Sequence, residues 1–218
     1  MNRPAPSAVA TGRGDDGSTA LLFGGDRIQK DDARTEAYGT IDEAVAALGL
    51  ARAQLGLKAE YGVLSPGLAG LRDVILRLQR ELFVAASELA TNRDAWQRLE
   101  DGRTRVSAAM VEGLDSLLAE MEGHVEMPRE FVVPGETSTS AAIELARTIL
   151  RRAERRAVSL QREGLIPGAH LLPYLNRFAD LLWVLARAAE QAEARTATPS
   201  RTTTRRRSAG TADRSTRK

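Results

Sequence analysis

The chain has 218 residues, no cysteine and two histidines, which excludes disulfide scaffolds, thiolate metal sites and cysteine nucleophiles. That length predicts one domain with tails. Its 31 basic and 29 acidic residues give a net charge of +2, yet residues 191–218 hold eight Lys/Arg against two Asp/Glu, so residues 1–190 carry net −4. A mildly acidic body argues against a nucleic-acid footprint.

Residues 1–10 are small and Pro-containing and read as a flexible leader without a secretory layout, which predicts a cytoplasmic protein. Residues 11–30 are rich in Gly, Asp, Ser and Thr and predict an ordered loop with a brief extended piece. A first helix over 33–56 places Ala37, Ile41, Ala44, Leu48, Ala51 and Leu55 on a heptad seam. A second, over 67–91, repeats the seam from Leu68 to Leu89, with Ser65-Pro66-Gly67 as its start. A third over 106–122 carries Met110, Leu114, Leu117 and Met121.

Two prolines break the pattern over 126–136, where Phe131-Val132-Val133 predicts extended chain. Helices over 138–163 and 169–193 follow, with seams Ala142–Leu160 and Leu171–Ala189. The longest apolar run is interrupted by Arg187, so no membrane span is expected. Together these elements predict an all-α, antiparallel five-helix bundle forming a single domain over 11–193. Residues 194–218 lack periodicity and predict a disordered basic tail, whose removal after Glu193 should leave activity intact.

The fourth helix carries the least ordinary chemistry. At about 100° per residue, Arg147, Arg151, Glu154 and Arg155 share one stripe, with Arg152 and Arg156 further round. Like charges at this spacing repel. The plain reading is a solvated face neutralised by Glu144 and Glu154; the sharper one is an oligophosphate site, because guanidinium forks match phosphate oxygens. Thr11-Gly12-Arg13-Gly14-Asp15-Asp16-Gly17-Ser18-Thr19 can curl its amides round an anion, though it lacks the Gly-Lys-Ser/Thr ending of a Walker loop. Lys30 could add a charge. Asp42, Asn176 and Asp180 are polar residues close to apolar seams, while His124 and His170 read as surface or structural. No metal-ligand spacing is present.

Read in order, Thr11-x-x-Gly14-Asp15-x-Gly17-x-Thr19, Phe23-Gly24-Gly25-Asp26-Arg27-Ile28-x-Lys30-Asp31-Asp32 and Glu36-Ala37-Tyr38-Gly39-Thr40-Ile41-Asp42-Glu43 resemble the propanediol-utilisation type of ATP:cob(I)alamin adenosyltransferase. So do Phe131-Val132-Val133-Pro134-Gly135, Ala146-Arg147-Thr148, Arg151-Arg152-Ala153-Glu154-Arg155-Arg156 and Tyr174-Leu175-Asn176-Arg177-Phe178-Ala179-Asp180. The resemblance runs from about 11 to 190. It departs at Arg13, where Thr is frequent, at Val45, where Asn is frequent, and at Glu136-Thr137, where Gly-Ser is usual.

The resemblance implies a homotrimer of ferritin-like helical bundles with ATP at subunit junctions and a corrinoid in an adjoining pocket. By position, Thr11, Gly12, Arg13, Gly14, Thr19 and Lys30 would form the nucleotide loop. Arg151, Arg152, Glu154, Arg155 and Asn176 would complete the ATP site from a neighbouring subunit. Asp42 and Arg147 would join subunits and support catalysis with Arg151, and Phe131 would close the lower face of the corrin. Implied cofactors are ATP, cobalamin and Mg²⁺. Implied partners are a reductase and an adenosylcobalamin-dependent mutase, with neither nucleic acid nor membrane. A non-enzymatic carrier of adenosylcobalamin would use the same pocket, and a purely structural helical oligomer is the remaining alternative.

Overall fold

The structure is a computed structural model and describes residues 9–201. Helix α1, Ala33–Glu60, starts where the Asp32 carboxylate accepts the Arg34 amide. It runs one turn past its expected end and stops at Gly62, whose φ of 68° lets the chain leave the helix. Every residue of its seam is buried. The Ser65-Pro66-Gly67 run forms a separate 3₁₀ turn, Pro66–Leu68, so α2 begins later than expected, at Leu71, and ends at Leu89. Helix α3, Ala108–Glu122, is capped by the Ser107 hydroxyl, which accepts the Met110 amide. Helix α4, Ser138–Arg162, opens on a reciprocal cap between Thr137 and Ser140. Helix α5 spans Leu171–Ala192.

Cross-helix contacts fix the direction of each helix. Arg156 near the end of α4 meets Glu36 near the start of α1, and Ser138 at the start of α4 reaches Gln54 late in α1. Those two helices therefore run oppositely. Gln79 of α2 donates to the Val45 carbonyl of α1, and Arg187 late in α5 pairs with Glu144 early in α4. Tyr174 early in α5 reaches Glu81 in the second half of α2. Helix α3 lies on α5 and runs the same way, with Asp115 against Arg177 and Met121 beside Ala188. It covers rather than completes the core, since Leu114 is its one fully buried residue.

One end of this bundle holds the N-terminal loop. Its strands β1, Ser18–Thr19, and β2, Ile28–Gln29, pair antiparallel, which is the extended piece the composition predicted. Leu22 bridges to Thr91, just past the end of α2. The other end holds β3, Val132–Val133. Its partner is β4, Thr198–Pro199, in the stretch expected to be structureless. The expected boundary at Glu193 does mark the end of α5. Beyond it the chain turns back instead of leaving, because a backbone ladder can order a segment that has no apolar periodicity. The leader over 1–8 and the tail over 202–218 lie outside the described residues. No helix among the described residues is long and apolar enough to cross a membrane.

Candidate active site

The N-terminal loop is a set of tight turns. Gly12 and Gly17 sit at φ 71° and 81°, a region open to glycine at little cost. Gly14 has no such φ but is packed tightly: a Cβ there would lie 3.0 Å from the Lys30 ammonium and 3.2 Å from the Ser18 carbonyl. Lys30 donates from its ammonium to the Gly14 carbonyl at 2.8 Å, and from its amide to Gly17. The loop's organiser is Arg27. Its Nε donates to the Ser18 hydroxyl at 2.7 Å, and its Nη2 donates to the carbonyls of Arg13 and Ser18. Ser18 in turn donates its amide and hydroxyl to Asp16, and these bonds, with Arg27 nearby, hold the Asp16 carboxyl below the ordinary carboxylate range. Thr11, Gly12 and Arg13 are exposed, and Thr19 is half-buried at the edge of β1.

Helix α4 divides its arginines into two sets. Arg152 pairs with Glu43 and Arg156 with Glu36, so both tie α4 to α1. Arg151 and Arg155 face solvent, with Glu154 half-buried between them. Arg155 reaches only the backbone carbonyl of Arg151, and among the described residues neither guanidinium has an acidic partner. Arg147, on the α5 side, is held by Glu144 at 2.6 Å. Glu144 is therefore not the exposed neutraliser that the plain sequence reading made it. It is buried under α5, where it also faces Arg187 at 3.3 Å.

The remaining expected residues stand apart within one chain. Asp42 is exposed on α1, and no bond joins it to Arg147 among the described residues. Asn176 and Asp180 lie on the outer face of α5 and not beside its seam. Phe131 is 85 % exposed at the β3–β4 end, opposite the N-terminal loop. Helix α4, 25 residues long, separates these ends by roughly 35 Å at about 1.5 Å per residue. Within one chain the N-terminal loop and Phe131 therefore lie at opposite ends of the bundle. Among the described residues no group of three or more His, Cys, Asp or Glu side chains could cage a metal ion.

A family model described as cobalamin adenosyltransferase matches residues 9–189. The chain belongs to the cobalamin adenosyltransferase family. A corrinoid adenosyltransferase of Citrobacter freundii is 36% identical over 182 residues, covering 84% of this chain and 94% of that protein. A second protein of that organism, corrinoid adenosyltransferase PduO, is also 36% identical over 182 residues, but this chain spans only 49% of its length. In solved structures, a phenylalanine-to-alanine variant of a PduO-type ATP:corrinoid adenosyltransferase from Lactobacillus reuteri, complexed with cobalamin and ATP, superposes with a TM-score of 0.73 at 28% identity. That match covers 88% of this chain and 98% of the neighbour.

Within this cobalamin adenosyltransferase, sequence reasoning missed Arg27, whose bonds to carbonyls leave no periodic signal. It also missed Arg187 and Glu190, a pair at 2.8 Å on the largely apolar buried face of α5. The interruption of the apolar run at Arg187 was the available clue.

Proposed function

We propose that this protein transfers the 5′-deoxyadenosyl group of ATP to the Co(I) centre of reduced cobalamin, giving adenosylcobalamin and inorganic triphosphate. The observation that carries this reading is the division of α4's arginines, which leaves Arg151 and Arg155 solvent-facing without acidic partners among the described residues. Cobalt supplies the electron pair that attacks C5′, and the bond from C5′ to the triphosphate oxygen breaks. Negative charge then grows on the leaving oxygen, so guanidiniums placed there stabilise the transition state more than the ground state. No histidine or cysteine has to be activated, which suits a chain with two histidines and no cysteine. A carrier would have less use for a cationic stripe aimed at a leaving group.

The assembly we infer is a homotrimer of antiparallel helical bundles in the cytoplasm. Thr11, Gly12, Arg13, Gly14, Thr19 and Lys30 of one copy hold ATP against Arg151, Glu154, Arg155 and Asn176 of the next, with Arg152 bracing the stripe through its pairing with Glu43. Asp42 and Arg147 link the copies, and Phe131 lies under the corrin, excluding a lower axial ligand so that Co(II) is more easily reduced. Mg²⁺ fits this donor set only as a triphosphate-borne ion with one or two carboxylates. Glu154, within the stripe, is the carboxylate placed for it. A reductase would supply Co(I), and a dependent mutase would receive the product.

The test is direct. Purified protein with ATP and chemically reduced cobalamin should develop the cobalt–carbon chromophore and release one triphosphate per corrinoid. Binding of both substrates without either product would overturn the assignment.

A further inference from the structure

The segment that carries Phe131 has no fully buried apolar side chain of its own, Val132 being half-buried. Phe131 and Val133 are both exposed, and Pro128 and Pro134 limit what the backbone can pair with. It is nevertheless held at three points, the first by the last turn of α5 and the other two by the chain that follows it. At its start, the Gln191 side chain accepts the Glu126 amide at 2.9 Å and donates to the Glu126 carbonyl at 2.6 Å. In its middle, Val132 and Val133 pair with Pro199 and Thr198, and the Ser200 amide donates to the Phe131 carbonyl at 2.7 Å. At its end, the Thr198 hydroxyl bonds to the Glu136 carboxylate.

The turn that makes this possible is also specific. Ala194 sits at φ 54°, a left-handed conformation that costs a residue with a Cβ about 1 kcal/mol. The Arg195 amide donates back to the Glu190 carbonyl, and Glu193 pairs with Lys58 of α1. The chain is thereby redirected across the Phe131 segment. Pro199 fits β4 because an edge strand can spare one donor. Between the two segments lie clefts of about 190 and 260 Å³, the first lined by Arg129, Glu130, Phe131, Ser200 and Arg201.

We propose that residues 195–201 are a strap belonging to the corrinoid site, which positions Phe131 by pairing with its backbone. Two exposed segments order each other, and the aromatic ring between their ends is left facing outward for a ligand. This inference rests on Phe131 being the residue beneath the corrin.

The experiment compares full-length protein, a chain ending after Arg201, a chain ending after Ala194, and full-length Ser200→Pro, which removes the donor to Phe131. Each is assayed for KM toward reduced cobalamin, KM toward ATP, and the yield of four-coordinate Co(II) species with ATP present. The chain ending after Arg201 should match full length. The shorter chain and Ser200→Pro should show KM for cobalamin raised about tenfold, a reduced four-coordinate signal, and KM for ATP within about twofold. Unchanged cobalamin KM and an undiminished signal in Ser200→Pro and the shorter chain would overturn the strap. Full-length Phe131→Ala is run alongside. If it retains the four-coordinate signal, the reading of Phe131 fails; if it loses the signal while the strap variants keep it, the strap alone fails.

Discussion

Arg147 places its Nε 2.6 Å from Oε2 of Glu144, a carboxylate only 2% exposed, whose other oxygen faces the buried Arg187 at 3.3 Å. One carboxylate thus serves two guanidiniums, and these flank Trp183, Arg147 at 5.5 Å and Arg187 at 4.5 Å from the ring centre. Arg187 also bonds to Glu190, whose carboxyl is pushed up by burial against the opposing pull of Arg187. The orientation of Arg147 is therefore set from the interior of the bundle.

Glu144→Gln keeps the shape of that carboxylate and removes its charge. Arg187 is then left with half its compensation in a buried site, and losses of about 3 kcal/mol are typical for such a change. Urea unfolding should show this as a lower midpoint with an unchanged slope. A midpoint equal to wild type would mean that Glu190 alone neutralises Arg187.

Arg151→Ala should separate function from stability. Its guanidinium touches no acidic group among the described residues, so unfolding should stay within about 0.5 kcal/mol of wild type. Turnover should fall by more than about tenfold in kcat/KM, because a charge-assisted phosphate contact is lost. Kinetics within about threefold of wild type would remove Arg151 from the reaction.

Gly14→Ala addresses the loop. The added methyl would meet the Lys30 ammonium at 3.0 Å and the Ser18 carbonyl at 3.2 Å. Lys30 can swing aside but the carbonyl cannot, so the loop should open. KM for ATP should rise several-fold while the helical circular dichroism signal and melting temperature hold. An unchanged KM would show that the loop's geometry does not govern nucleotide binding.

Glu88 gives a pH test. It accepts the amides of Val106 and Gly168, yet burial outweighs both bonds and raises its carboxyl above the ordinary value of 4.5. A raised folded-state pKa means that the folded protein binds the proton more tightly than the unfolded chain. The resulting stability is fully present below pH 4.5 and is lost as pH rises through the folded value. Wild type should therefore gain stability relative to Glu88→Gln as pH falls from neutral toward 4.5. Chemical denaturation at several pH values measures it, and a relative loss on acidification would contradict the burial argument.

The helices were legible because heptad spacing writes itself into side-chain identity, and the seams of α1, α2 and α5 are buried as that spacing requires. In α4 the heptad spacing from Ala142 to Leu160 also places Ile149 on the seam, but Ile149 is half-buried and its neighbour Leu150 is fully inside. The charged stripe could be read from helix geometry, but its division could not. Whether Arg152 is a tie and Arg151 is open depends on Glu43, more than a hundred residues earlier. Glu144 was misjudged because wheel position alone says nothing about which neighbour covers a face. Arg27 directs two of its guanidinium bonds to backbone carbonyls, and β4 pairs through its own backbone, and neither kind of acceptor is marked by residue identity.

In the assembly proposed above, the two ends of the bundle carry different obligations, and no single copy meets both for one set of ligands. A chain crippled in the N-terminal loop and a chain crippled at Phe131 are then not equivalent losses. Dissociated and reassembled together, they would create junctions in which the sound half of each meets the sound half of the other. A mixture of two inactive proteins would regain part of the activity that neither possesses, at a yield set by the statistics of mixed assembly.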